Sequence, residues 1–292
     1  MERGMDEGTV ERLVAAAVAV ALVAVAAGVA VWRTSEPAEV ATLVIESPGA
    51  VLERHGYRLV RVVPGTFVQG AGETDPDRMQ DEIRRAVELT RPFSIGATEV
   101  TGALYADVMG ADPSSRTCDG CPVTDVSWLD AVRFCNRLSL REGLRPVYSI
   151  DGDVVHWSQT ASGYRLPTEA EWEFAAHGGR DLRFAGGEEP EAVAWFADNA
   201  GEAPQPVGRK RPNPLGLYDM SGNVWEWVWD RYGVWTSSTV VDPLGADEGD
   251  LRVGKGGAWN TWGDMVRVAA RSRGGPTSRG DVLGFRIART TD

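Results

Sequence analysis

Residues 164 to 176 read Tyr164-Arg165-Leu166-Pro167-Thr168-Glu169-Ala170-Glu171-Trp172-Glu173-Phe174-Ala175-Ala176. No other run constrains the fold as much. Thr168 with Glu171 is a capping box: the threonine oxygen accepts from the Glu171 N–H, and the carboxylate reaches back to the Thr168 N–H. A helix therefore starts at Thr168. Further on comes Pro212-Asn213-Pro214-Leu215-Gly216-Leu217-Tyr218-Asp219-Met220-Ser221-Gly222-Asn223-Val224-Trp225-Glu226-Trp227. After Phe174 the chain is mostly short strands and loops to its end. With 34 glycines and 16 prolines, this is a turn-rich globule rather than a helix bundle.

The remaining local signals agree. Tyr57 to Val63 alternates as a strand, Pro64-Gly65 is a turn, and Thr66 to Gly70 reads as its return strand. Val87-Glu88-Leu89 and Phe93-Ser94-Ile95 are further short strands. A helix capped by Thr101 buries Leu104, Tyr105, Val108 and Met109, and stops at Gly110. Another, capped by Ser127, runs from Trp128 to Arg141 with Trp128, Ala131, Val132, Cys135 and Leu138 on its buried stripe. Cys135 on that stripe is a core thiol, not a nucleophile. Most of the 11 tryptophans belong to the core as well.

A net charge of −12 excludes nucleic acid as a partner, because phosphate binding needs clustered Lys and Arg. Leu13 to Trp32 is an uncharged run of small and apolar residues, long enough to span a bilayer. It reads as an uncleaved transmembrane anchor, with a cleavable signal peptide as the alternative. The chain divides into a tail (1–12), the anchor (13–32), a linker (33–55) and one domain (56–290). Cys118-Asp119-Gly120-Cys121 lacks the second half of a four-ligand zinc site and reads as a local disulfide in an oxidising compartment. That agrees with an extracytoplasmic domain. Two reduced, inert thiols are the plain alternative.

An ordered set of motifs carries a family resemblance: Val63-Pro64-Gly65-Thr66-Phe67, then Phe93 to Thr101, Pro122 to Trp128, the Tyr164 run, Asn213 to Trp227, Gly256-Gly257-Ala258-Trp259 and Leu283-Gly284-Phe285-Arg286. Together they resemble the formylglycine-generating enzyme, or sulfatase-modifying factor, family. The resemblance implies an irregular α+β globule of C-type-lectin-like fold, with short strands, few helices and many loops, preceded here by one transmembrane helix. Members that oxidise a substrate cysteine use a copper-binding cysteine pair just after the Gly-Gly-Ser-Trp motif. The matching positions hold Thr261 and Val266, and no cysteine follows Cys135. Neither residue replaces a thiolate, the soft ligand that Cu(I) needs. The related iron-dependent sulfoxide synthases need a histidine-rich site, whereas the only histidines here are the scattered His55, His156 and His177. No copper or iron site is evident, and no catalytic residue is assigned.

The resemblance also implies structural calcium, held by the carbonyls of Ser221, Gly222 and Val224 and the Glu226 carboxylate. Such hard oxygen ligands suit Ca²⁺. The alternative is that Glu226 and Asn223 pin a loop by hydrogen bonds. Glu169, Glu171 and Glu173 splay apart on their helix rather than forming an acid–base pair. Arg286 reads as a buried structural partner. Trp259, Asn260, Thr261 and Trp262 occupy the region of the family's substrate groove, with Trp259 as core and Trp262 as the better contact residue. The expected function is a membrane-anchored binding or accessory module for an unidentified extracytoplasmic protein or small molecule. The alternative is an oxidoreductase with altered active-site residues.

Overall fold

The computed structural model describes residues 52–54 and 56–291. The expected anchor, tail and most of the linker, together with His55, lie outside the described residues. No helix among the described residues is long and apolar enough to cross a membrane.

The first sheet closes the domain on itself. Strands β1 (Leu52–Arg54), β2 (Tyr57–Val62), β5 (Phe93–Gly96) and β13 (Ala288–Thr290) stand in that order. All its pairings are antiparallel, with Val60 opposite Ile95 and Ala288 opposite Ile95 on its other side. The last strand of the chain thus joins the same sheet as the first, at its opposite edge. Leu59, Val60 and Val62 are buried on β2, as are Phe93 and Ile95 on β5. Strand β1 falls within the stretch read as linker, so the sheet begins earlier than the sequence pattern indicated.

The segment after Pro64 is not the return strand of β2. Strand β3 (Gly65–Gln69) leaves for a different sheet, ordered β3, β4 (Arg85–Leu89) and β9 (Val240–Val241). The reason is that β1 and β5 already fill both hydrogen-bonding edges of β2. Adjacency in sequence with a Pro-Gly turn resembles a hairpin, yet edge occupancy decides the pairing.

The helices stand where the capping signals place them. Helix α1 (Gly102–Met109) takes Thr101 as its cap and ends on Gly110 in the left-handed conformation. Helix α2 (Trp128–Arg141) starts with a full capping box between Ser127 and Asp130. It packs its stripe, Cys135 included, into the larger core with Tyr105, Phe134 and Phe285. A two-stranded ribbon, β6 (Tyr148–Asp151) with β7 (Val154–Trp157), follows. Helix α3 (Glu169–His177) starts with the Thr168–Glu171 box, and a short turn α4 (Pro190–Val193) comes next.

The central sheet is ordered β11 (Arg271–Gly274), β10 (Arg252–Lys255), β8 (Trp225–Arg231) and β12 (Leu283–Phe285). Strand β8 is buried along most of its length. Its Trp227 indole donates to the Val126 carbonyl, and the Trp128 indole donates to that of Val228. These bonds let large aromatic rings enter the core with their N–H groups satisfied.

Candidate ligand-binding site

Three loops are laced together at one end of the central sheet. The Gly222 N–H donates to the Gly256 carbonyl at 2.7 Å, and that of Trp259 to Asn223 at 2.7 Å. The Asn223 N–H donates to the Trp195 carbonyl at 2.8 Å, and that of Ala197 to Thr261 at 2.9 Å. Close backbone approach explains the residue types. Gly222 has φ +79°, and a Cβ there would lie 2.2 Å from the Trp195 carbonyl oxygen. Asn223 sits at φ 63°, a left-handed position that Asn tolerates better than most residues. Its side chain accepts from the Gln205 N–H at 2.9 Å and donates to the Gln205 carbonyl at 3.2 Å.

This lacing presents an aromatic and cationic surface. Trp262 is 68% exposed and leads into a short 3₁₀ turn, Gly263–Met265. Trp259 is only 7% exposed; its indole donates to the Asp281 carbonyl, and the Arg116 guanidinium lies 5.0 Å from its ring. Trp195 packs against the same small cluster as Trp259. The Lys210 ammonium stands 4.0 Å from the Trp195 ring centre, within cation–π range, and the Trp195 indole nitrogen is buried without a hydrogen-bond partner. Asn260 is exposed. Thr261 turns inward: its hydroxyl accepts from the Ala258 N–H and donates to the Ala258 carbonyl, closing a turn.

Of the four expected contact residues, Asn260 and Trp262 therefore face out, Trp259 is largely core, and the Thr261 side chain serves the backbone. Sequence reading missed Trp195, Lys210 and Arg116. The Arg209-Lys210-Arg211 run in an acidic chain was the available signal, but nothing local links it to Trp195.

The position of the second expected sulfur is filled by the fold. Val266 is fully buried among Phe184, Val193, Ala194 and Phe196. Gly257 stands against it at φ +79°, where a Cβ would lie 2.6 Å from a Val266 methyl. The remaining cysteines are committed elsewhere. Cys118 and Cys121 are joined as a disulfide with their Cα atoms 5.2 Å apart. Its loop is tied to α1 through Gly102 and to the 200s loop through Val207. Burial pushes the Cys135 thiol well above the usual range, so it stays protonated.

Glu226, the one side chain of the expected calcium set, is already engaged by protein groups. Both of its oxygens accept from the Arg286 guanidinium at 2.6 Å, and one also accepts from the Trp172 indole at 2.8 Å. The alternative roles are the ones present: Asn223 pins the Gln205 loop, and Glu226 anchors Arg286.

Each of the three helix α3 glutamates has a main cationic partner, and Lys255 also lies 3.9 Å from Glu169. Glu169 pairs with Arg271 through two bonds, Glu171 with Arg165, and Glu173 with Lys255 at 2.9 Å. Arg273 is exposed and lies 4.6 Å from the Tyr232 ring. His177 hydrogen-bonds the Arg180 carbonyl through Nδ1, and burial lowers its pKa.

Beside this network Asp230 accepts from the Glu169 N–H at 2.7 Å. Burial first, and then the Glu169 charge, push its carboxyl up to about 8. The folded state thus binds a proton that the unfolded chain releases near pH 4. Stability from this group is complete below that pH and is lost as pH rises through about 8. Asp230→Asn keeps the acceptor and removes the charge. The variant is expected to be more stable than the parent at pH 8 and to flatten the stability profile between about pH 4 and 8. Urea unfolding across that range checks it; an unchanged profile would remove Asp230 as the source.

With this geometry in hand, likeness to known proteins is informative. The sulfatase-modifying factor enzyme 1-like domain family matches residues 49–291. Chaperone protein LppX of Paenibacillus barcinonensis is 36% identical over 233 residues, 68% of this chain and 80% of its own length. The formylglycine-generating enzyme of Thermomonospora curvata is 34% identical over 262 residues, 81% of this chain and 73% of its own. Among solved structures, Treponema denticola variable protein 1 superposes with a TM-score of 0.76 at 31% identity, covering 83% of this chain and 99% of that one.

Proposed function

This chain belongs to the sulfatase-modifying factor enzyme 1-like family, and we propose that it serves there as a binding or accessory domain that does not convert cysteine to formylglycine. One observation carries this reading. Where the family's oxidation chemistry calls for two thiolates, Thr261 uses its hydroxyl to close a backbone turn and Val266 fills a hydrophobic cluster. Copper-based oxygen activation needs soft sulfur there, and neither side chain supplies it. The family's fold is thus separable from its chemistry. Likeness to a protein named a chaperone supports accessory work. Trp262 and the Trp195–Lys210 pair are the surface we assign to the partner, an extracytoplasmic protein or small molecule.

An oxidoreductase using another metal gains no support from the ligand geometry. Among the described residues no three His, Cys, Asp or Glu side chains converge to hold one. The decisive assay incubates the full chain with copper, oxygen and a Cys-x-Pro-x-Arg peptide, and reads the peptide mass. The Thermomonospora curvata enzyme serves as positive control. An unchanged peptide is expected; conversion of its cysteine overturns the proposal.

The proposed setting is outside the cytoplasm, held to the membrane through residues 13–32. The uncharged apolar run supports it, as does the disulfide, which persists in oxidising compartments. Alkaline carbonate extraction is expected to leave the protein in the membrane pellet, and release into the supernatant would sink the anchor.

A further inference from the structure

The turn that carries the disulfide is fixed by its own backbone. The Gly102 N–H donates to the Cys121 carbonyl at 3.0 Å, the Val207 N–H to that of Gly120 at 2.9 Å, and the Cys121 N–H to that of Cys118 at 3.2 Å. Gly120 supplies the left-handed position, φ +76°, that so tight a turn needs. The cross-link closes a loop with a sequence separation of only 3. Closing so short a loop removes little entropy from the unfolded chain, so this disulfide stabilises less than a long-range one. The backbone bonds remain to hold the turn when the disulfide is open.

The two sulfurs stand in unlike places. Residues 115–119 are exposed, Cys118 among them, whereas Cys121 is 5% exposed. In thiol–disulfide exchange a thiolate attacks one sulfur and expels the other, and exposed disulfides are the labile ones. Only Cys118 can be approached from solvent, so attack there expels Cys121. The Cys121 sulfur lies 3.4 Å from the Pro204 carbonyl oxygen, which can accept its S–H once the bond is broken. A protonated Cys121 is a poor nucleophile, and this slows its return onto a mixed disulfide. The turn also borders the aromatic and cationic surface. Arg116, two residues before Cys118, lies over the Trp259 ring, donates to the Glu202 carbonyl at 3.1 Å and pairs with Asp281. Pro204 precedes Gln205, which Asn223 pins.

We propose that Cys118–Cys121 is a thiol–disulfide exchange site that oxidises a protein dithiol docked on this neighbouring surface. One partner thiolate attacks the Cys118 sulfur. The S–S bond breaks, and Cys121 leaves with its electron pair and takes up a proton. The partner's second thiolate then attacks the partner's own sulfur in the mixed disulfide and releases Cys118, which is protonated in turn. Two electrons and two protons pass from the partner, which gains a disulfide, to the pair, which becomes a dithiol. The docking place rests on the Trp262 and Trp195–Lys210 reading; the exchange does not, since Thr261 and Val266 take no part in it.

The test incubates the full chain in detergent, at mildly alkaline pH, with a Cys-Gly-Gly-Cys peptide. The reaction is quenched with iodoacetamide and mapped by mass spectrometry. One equivalent of oxidised peptide per chain and alkylation of Cys118 and Cys121 are expected, with Cys135 unmodified. Cys135 is fully buried, so it reports unfolding. A pair that reacts only together with Cys135 is purely structural, and that result overturns the proposal. Reduced glutathione, a monothiol, should be captured on Cys118; capture on Cys121 overturns the order of attack. In Cys121→Ser the Cys118 thiol should take up glutathione from its oxidised form at least about tenfold faster than Cys121 does in Cys118→Ser. Equal rates overturn the assignment. A pair that stays oxidised in the folded protein also overturns it, and leaves the formylglycine assay to judge the accessory reading by itself.

Discussion

Arg286→Ala is expected to destabilise the domain by about 3–5 kcal/mol, the range for breaking a buried ion pair from one side. Arg286 and Glu226 are both fully buried and joined by two 2.6 Å bonds. Removing the guanidinium strands the Glu226 carboxylate in the core and frees the carbonyls of Gly96 and Tyr218. Most of the loss is thus desolvated charge, not lost attraction. The double variant Arg286→Met with Glu226→Gln should recover a good part of it, because it removes the uncompensated charge. Urea unfolding of the three proteins is the measurement. A single variant within about 1 kcal/mol of the parent would mean that water reaches Glu226 in solution.

Lys255→Met should cost a comparable amount, about 3–5 kcal/mol near neutral pH. Lys255 is fully buried on β10, 2.9 Å from Glu173 and 3.9 Å from Glu169. Methionine keeps the volume and the apolar stem but removes the charge. Glu169 retains Arg271, whereas Glu173 is left with only the Gly70 N–H at 2.6 Å. An unpaired buried carboxyl is pushed up in the folded variant. The folded state then binds a proton that the unfolded chain lacks, so the variant is closest to the parent at acid pH and falls behind as pH rises. Unfolding at about pH 4.5 and pH 7.5 checks this. A defect that stays constant with pH would point to packing rather than to charge.

Both predictions concern groups whose partners lie far apart in sequence, and this marks the limit of sequence reading here. The helices were legible because capping is local: Thr101, Ser127 and Thr168 each declare a helix start within a few residues, and each is observed as a cap. The burial of Cys135 was legible from helical periodicity, and the burial of Arg286 from its motif. Strand pairing was not. The Pro64-Gly65 turn carries a hairpin signal, yet β3 joins β4 because β2 has no free edge, and no local pattern reports that. The partners of Glu226 were hidden for the same reason. Glu226 looks like a free acidic ligand in its own segment, and only the fold brings Arg286 and Trp172 onto it.

The candidate site divides along the same line. Thr261 and Val266 in place of the thiolates are facts of covalent sequence, and no folding can supply sulfur there. The exposure of Trp262 against the burial of Trp259 also followed from local polarity. The approach of Lys210 to Trp195 depends on loops meeting across the domain. By itself the sequence determined the family, the helix starts and the missing thiolates, because each rests on residue identity or on interactions a few positions apart. Only the tertiary structure decided which buried charges are neutralised and which are not, because electrostatic compensation depends on distance in space, and the chain sets that distance only once every loop has been placed.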